Sequence, residues 1–129
     1  MAHAKASIGI TNYEVAITAG HHELKADEGL KMGGKDSGPA PYELLCSALC
    51  ACTAITLRMY AERKQWPLRG VNVNVHLKNI DNEEVIDRVL KFDGELNDQQ
   101  RVRLADVAER TPVTLTLKHG LSIRTSLES

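Results

Sequence analysis

Three cysteines, Cys46, Cys50 and Cys52, fall inside one short stretch, and the chain has no others. A thiol can serve as a nucleophile, a metal ligand or half of a disulfide. On a helix, Cys46 and Cys50 would stand about 40° apart around the axis, and Cys50 and Cys52 about 200° apart. Three sulfurs so arranged diverge, which argues against a zinc site made from them alone. Nor could Cys50 and Cys52 bridge without unwinding the helix. Two readings stay open. The cysteines are small core side chains, as free cysteine often is, or one of them is a reactive thiolate. A thiolate three turns into a helix gains little from the helix dipole, and apolar burial disfavours its charge. It therefore needs a cation or a donor from another segment, and the spacing identifies none.

The element that would carry these thiols runs from Gly38 to Gln65. Pro41 suits the first position of a helix, where the missing N–H costs nothing. Glu43 falls in the first turn, where a carboxylate complements the free N–H groups. From Leu44 to Leu57 the only polar side chains are Ser47, Thr53 and Thr56. A helix apolar on nearly every face belongs in an interior. Arg58, Glu62, Arg63 and Lys64 make the last turns amphipathic, and Trp66-Pro67 ends the helix. On this helix Cys52 shares a face with Ala48, Leu49, Ile55, Thr56 and Met59, whereas Cys50 points away with Ser47 and Leu57.

The 129 residues form one expected domain, 1–129, with a formal charge of −1. Near-neutral charge argues against nucleic acid or an anionic membrane as partner. No apolar run is expected to approach the roughly 20 residues of a membrane span. The N-terminal segment has no hydrophobic signal region, so the expected location is cytoplasmic, with reduced thiols. No metal or cofactor is expected. Gly33-Gly34 lacks phosphate-loop spacing, and His21 and His22 on one strand would face opposite ways.

Along the chain, Ala4–Ile10, Tyr13–Ala19 and His22–Ala26 read as strands, followed by a loop in which Gly33, Gly34 and Gly38 permit close approach. After the helix, Val71, Val73, Val75 and Leu77 alternate with polar residues. A turn at Asn79–Asn82 leads to a second strand, Val85–Leu96, with Ile86, Leu90 and Phe92 on one face. Asp98–Arg110 reads as a helix capped by Asn97, its apolar side made by Val102, Ala105, Val107 and Ala108. Thr111-Pro112 opens a short helical turn closed by Gly120, and Leu121–Leu127 reads as a last strand. His76 points outward, and Trp66 anchors the end of the long helix. Strands on both sides of one buried helix make an α+β fold. Strands and one modest helix cannot cover every face of that helix, so a second copy is expected to sheath it, in an obligate homodimer.

The run P-x-P-Y-E-L-L-C-S-A-L-C-A-C-T, preceded by G-G-K-D-S-G, together with A-D-V-A-E-R-T-P-V-T-L-T-L, resembles the OsmC/Ohr superfamily of osmotically inducible and organic hydroperoxide resistance proteins. The resemblance covers Gly20 to Leu127. It implies an α+β, OsmC-like domain interlocked with its twin, with central helices that carry the sites at the subunit interface. It also implies peroxide reduction in oxidative stress. A cysteine thiolate attacks the O–O bond, becomes a sulfenic acid, and is restored by a second or an outside thiol. Carried over by position, the attacking cysteine is Cys52, and Glu43 is the acidic residue beside the helix start. Tyr42 stands where the active reductases have glutamate, Thr111 where they have the resolving cysteine, and no arginine precedes Arg58. The expected partners are a small organic hydroperoxide and an external thiol reductant. The rival expectation is a non-catalytic dimer that binds a small apolar ligand or senses redox state. Glu43 would otherwise serve as a helix cap, and His22, Asp27 and Glu28 as solvated loop residues or polar partners of Cys52.

Overall fold

A computed structural model describes residues 1–128, and the chain falls into two compact units, Met1–Cys46 and Ser47 onward. In the first, β1 (Ala4–Ile8), β2 (Val15–Ala19) and β3 (His22–Ala26) form an antiparallel sheet in that order. Ile17 of β2 pairs with Ala6 and Leu24. Pairing begins at Ile8 opposite Val15, so β1 stops short of the expected Ile10, which is fully exposed.

The loop from Asp27 to Ala40 is tied down by one buried carboxylate. Asp27 accepts the backbone N–H groups of Tyr13, Glu28, Lys35 and Ser37 at 2.7–3.3 Å, and the Ser37 hydroxyl at 2.7 Å. Two glycines let the loop close. A Cβ at Gly34 would collide with the Glu28 carbonyl, and one at Gly38 with the Lys25 carbonyl. The Ser37 hydroxyl above all, aided by the backbone donors, holds the Asp27 carboxyl far below the usual range. Asp27 is therefore a buried organiser of its loop, not a solvated residue.

The helix α1 runs Pro41–Lys64 as the residue types require. Its buried side chains, Leu49, Thr53, Leu57 and Ala61, recur every fourth residue and line one stripe. One expectation fails here. Over an 18-residue window α1 reaches a mean hydropathy of 1.6, long and apolar enough to cross a membrane by length and composition. Its alanines and cysteines count as apolar, and Ser47, Thr53 and Thr56 are too weakly polar to bring the mean down. Only 22% of that window is buried by the chain itself. Ile55 (55% exposed) and Met59 (53%) mark the uncovered side.

Within the second unit, β4 (Leu68–Ile80) and β5 (Glu83–Gly94) form an antiparallel hairpin. Its turn is two residues, Asp81 and Asn82, both with positive φ, which matches the twist of the flanking strands. The strands therefore extend further into the expected Asn79–Asn82 turn. Next come α2 (Asp98–Ala108) and α3 (Pro112–His119). Asn97 caps α2 reciprocally with Gln100. The apolar side of α2 keeps the expected Val107 and Ala108 but not Val102 and Ala105. Leu104 and Ala108 are buried while Val102 is 70% exposed, so the inward stripe is offset from the one drawn through Val102 and Ala105. The core joins Leu57, Ala61, Leu68, Leu96, Leu104 and Ala108, with Tyr60 and Trp66 packed edge to face beside it. Trp66 thus anchors the end of α1 as expected. Leu121–Leu127 forms no strand. Leu121, Ile123 and Leu127 are largely exposed, and with no ladder partner among the described residues a strand has nothing to hold it.

Candidate functional site

The donor that the spacing could not identify comes from α3. Thr111 caps this helix, and Pro112 begins it without an N–H. The next free N–H groups follow in order. Thr111 accepts those of Thr114, through its hydroxyl, and Leu115, through its carbonyl. That leaves the N–H of Val113, and it donates to Sγ of Cys52 at 3.4 Å. A half-buried thiol on α1 therefore meets a free donor at the positive end of a helix sixty-one residues away. The Thr56 hydroxyl lies 3.9 Å from the same sulfur, one turn further along α1. Cys50 points to the hairpin, where its Sγ donates to the Val73 carbonyl at 3.7 Å. The sulfurs diverge as helix geometry requires, and no cluster able to hold a metal ion exists among the described residues.

Beside this contact lies a side chain absent from the sequence expectations. Arg88 projects from β5 onto the same face as Ile86, Leu90 and Phe92, and its side chain is 11% exposed. Its Nη1 donates to Thr53 Oγ1 at 3.0 Å and to Thr114 Oγ1 at 2.9 Å. Its Nη2 donates to the Ala108 carbonyl at 2.8 Å and to Glu109 Oε2 at 3.2 Å. Thr114 Oγ1 also meets Thr111 Oγ1 at 2.6 Å, and both threonines are buried. Hydrogen bonds from Lys118 first, and from Arg88, hold the Glu109 carboxyl below its usual range. Period-two alternation places Arg88 inward, and an arginine on an apolar strand face was the signal to read. A cavity of about 500 Å³ opens beside it, walled by Leu49, Ile86, Leu90 and Leu117 and rimmed by Glu84 and Lys118.

Glu43 accepts the Ala40 N–H at 2.9 Å, the capping role weighed for it. Tyr42 is 59% exposed. His22 and Glu28 belong to the first unit, and among the described residues the polar neighbours of the Cys52 sulfur are Val113 and Thr56. His21 and His22 do not face apart. His21 lies in the turn before β3, and the two rings lie side by side, tilted 35° with centroids 4.1 Å apart. His76 is exposed as expected.

Comparison with known proteins places this architecture. Among curated proteins none matches the chain in sequence. Among solved structures, the OsmC-like protein of Mycoplasma pneumoniae is similar at 16% identity and a TM-score of 0.78, over 92% of this chain and 87% of that one. An organic hydroperoxide resistance protein OsmC of Legionella pneumophila is similar at 21% identity and a TM-score of 0.65, over 92% and 89%. One of Elizabethkingia anophelis reaches 17% identity and a TM-score of 0.64, over 84% and 81%. At these identities the likeness is one of fold, and it confirms the α+β, OsmC-like architecture. The family model for OsmC-like protein matches residues 34–126, from the glycine loop through α1, the hairpin and α3. The chain therefore belongs to the OsmC-like protein family.

Proposed function

We propose that the protein is a one-cysteine, thiol-dependent reductase of organic hydroperoxides, with Cys52 as the attacking group. The observation that carries this reading is the Val113 N–H aimed at Cys52 Sγ from the first turn of α3. An N–H donor at a helix N-terminus favours a charged sulfur, and the thiolate is the nucleophile. The thiolate attacks the distal peroxide oxygen, the O–O bond breaks, and the alkoxide leaves to take a proton as an alcohol. Cys52 becomes a sulfenic acid. A small thiol then condenses with it, releasing water and forming a mixed disulfide. A second thiol breaks that disulfide and regenerates Cys52. Thr111 holds no sulfur, so both reducing equivalents come from outside the chain, as in a reducing, cytoplasmic setting.

The working form in this reading is a homodimer. The uncovered side of α1 carries Ala48, Ala51, Ile55 and Met59, spaced as one helical stripe, and the opposite stripe packs on its own chain. A second copy would cover it with like surface. Glu43 then acts as a helix cap, not in proton transfer. The test is turnover of cumene hydroperoxide with dithiothreitol by the native protein and by C52S. Turnover by the native protein that vanishes in C52S supports the reading, and equal, negligible rates in both overturn it.

A second reading rests on a separate observation. A cavity of about 330 Å³ in the first unit is lined by Ile8, Tyr13, Val15, Met32 and Pro41, the setting for a small apolar ligand in a non-catalytic member. It requires Cys52 to resist thiol reagents in the native state.

A further inference from the structure

We infer that Arg88 is a positioning residue for the Cys52 thiol, its guanidinium fixing the first turn of α3 against α1 and so keeping the Val113 N–H on sulfur. This rests on the reading of Cys52 as the attacking group. The geometry is a paired bridge. Cys52 and Val113 make the sulfur–nitrogen contact, and their immediate successors, Thr53 and Thr114, share Nη1 of Arg88. The bridge thus runs one residue beside the contact on both elements. Thr53 is itself fixed, because its hydroxyl donates to the Leu49 carbonyl at 2.7 Å.

The other nitrogen completes the clamp. Nη2 holds the Ala108 carbonyl at the end of α2 and the Glu109 carboxylate, from which the chain passes through Arg110 to the Thr111 cap. Arg88 therefore grips the segment that starts α3 from before it and from within it. Guanidinium suits this role because its N–H groups diverge from one rigid plane, whereas an ammonium is a single point on a flexible stem. Burying a charge on an apolar face between Ile86 and Leu90 is costly, and a leucine there would pack without that cost. A contact of 3.4 Å is an ordinary length for an N–H donating to sulfur, and it weakens as α3 draws back from α1. That contact strengthens as the sulfur gains charge, so its loss appears as slower thiolate chemistry.

The experiment labels the native chain, R88M and R88K with limiting iodoacetamide. Peptide mass spectrometry reads Cys52, with Cys46 and Cys50 as internal references, and amide hydrogen exchange is followed at Val113. In R88M, labelling at Cys52 should slow about tenfold relative to Cys46, with R88K between the two and Val113 exchanging faster in both. An unchanged or faster rate at Cys52 in folded R88M overturns the inference, as does equal slowing at all three cysteines. If R88M does not fold, R88K decides alone: a native Cys52 rate overturns the inference, and a selectively slowed one upholds it. Labelling uses no peroxide, so a chain that reduces no hydroperoxide still gives a clear answer on Arg88.

Discussion

Cys52 Sγ lies 3.4 Å from the backbone nitrogen of Val113, and the two residues belong to helices separated by the whole β4–β5 hairpin and α2. The contact divides the cysteines by environment. Cys50 donates to a strand carbonyl, a bond that a thiolate cannot make. C50S should therefore keep most of the hydroperoxide turnover and C52S should lose it, read in a coupled reductant-consumption assay. A C50S variant as inactive as C52S would make Cys50 a second required thiol and overturn the one-cysteine reading.

Thr111 supports the same contact from the other side. Its hydroxyl accepts the Thr114 N–H and pairs with the Thr114 hydroxyl. T111A should cost about 1 kcal/mol as a lost helix cap and should also slow Cys52 labelling. Thermal denaturation and thiol labelling on one sample check both effects. A stability loss with native labelling would separate the cap from the thiol.

Much of this was legible in the chain. Pro41, Glu43 and Trp66-Pro67 bound α1, Asn97 and Thr111-Pro112 mark the starts of α2 and α3, and alternation at Val71–Leu77 identifies β4. What escaped depends on tertiary placement. Arg88 sits on a face read through its apolar neighbours Ile86, Leu90 and Phe92. Alternation puts Arg88 on that inward face, but the partners it clamps, Thr53 and Thr114, come from distant segments and are not legible locally. Val113 presents no side-chain chemistry, so a backbone donor at that position leaves no signature in residue type. Leu121–Leu127 has a strand's alternation, but a strand also needs an edge to pair with.

Asp27 makes the first unit sensitive to acid. The Ser37 hydroxyl and backbone donors favour the charged carboxylate, so its folded-state value is depressed. The stabilisation is complete above about pH 4, the ordinary range for aspartate, and is lost as pH falls below that toward the depressed value. Urea midpoints measured from neutral to acid pH should fall through that window. D27N should start lower and show a flatter acid limb. An acid limb in D27N as steep as the native one would assign the effect to other carboxylates.

The uncovered stripe of α1 predicts the assembly. I55E places a charge among Ala51, Met59 and their neighbours and should convert a particle of twice the chain mass to one chain, measured by light scattering. A native protein that is monomeric at micromolar concentration defeats the dimer outright.

Leu57 and Leu104 are both fully buried in the second unit. L57A and L104A should each cost about 2–5 kcal/mol, the range for a truncated core leucine, in denaturant titrations. A cost under about 1 kcal/mol would mean that the core rearranges around the gap.

The Thr111 hydroxyl pair has an economic meaning for the cell. Thr111, at the position where the family resemblance implies a resolving cysteine, is committed to anchoring α3, and a cysteine there would surrender that anchorage. Under the proposed reading of Cys52, throughput would follow the ambient pool of small thiol donors and stall when that pool is drained.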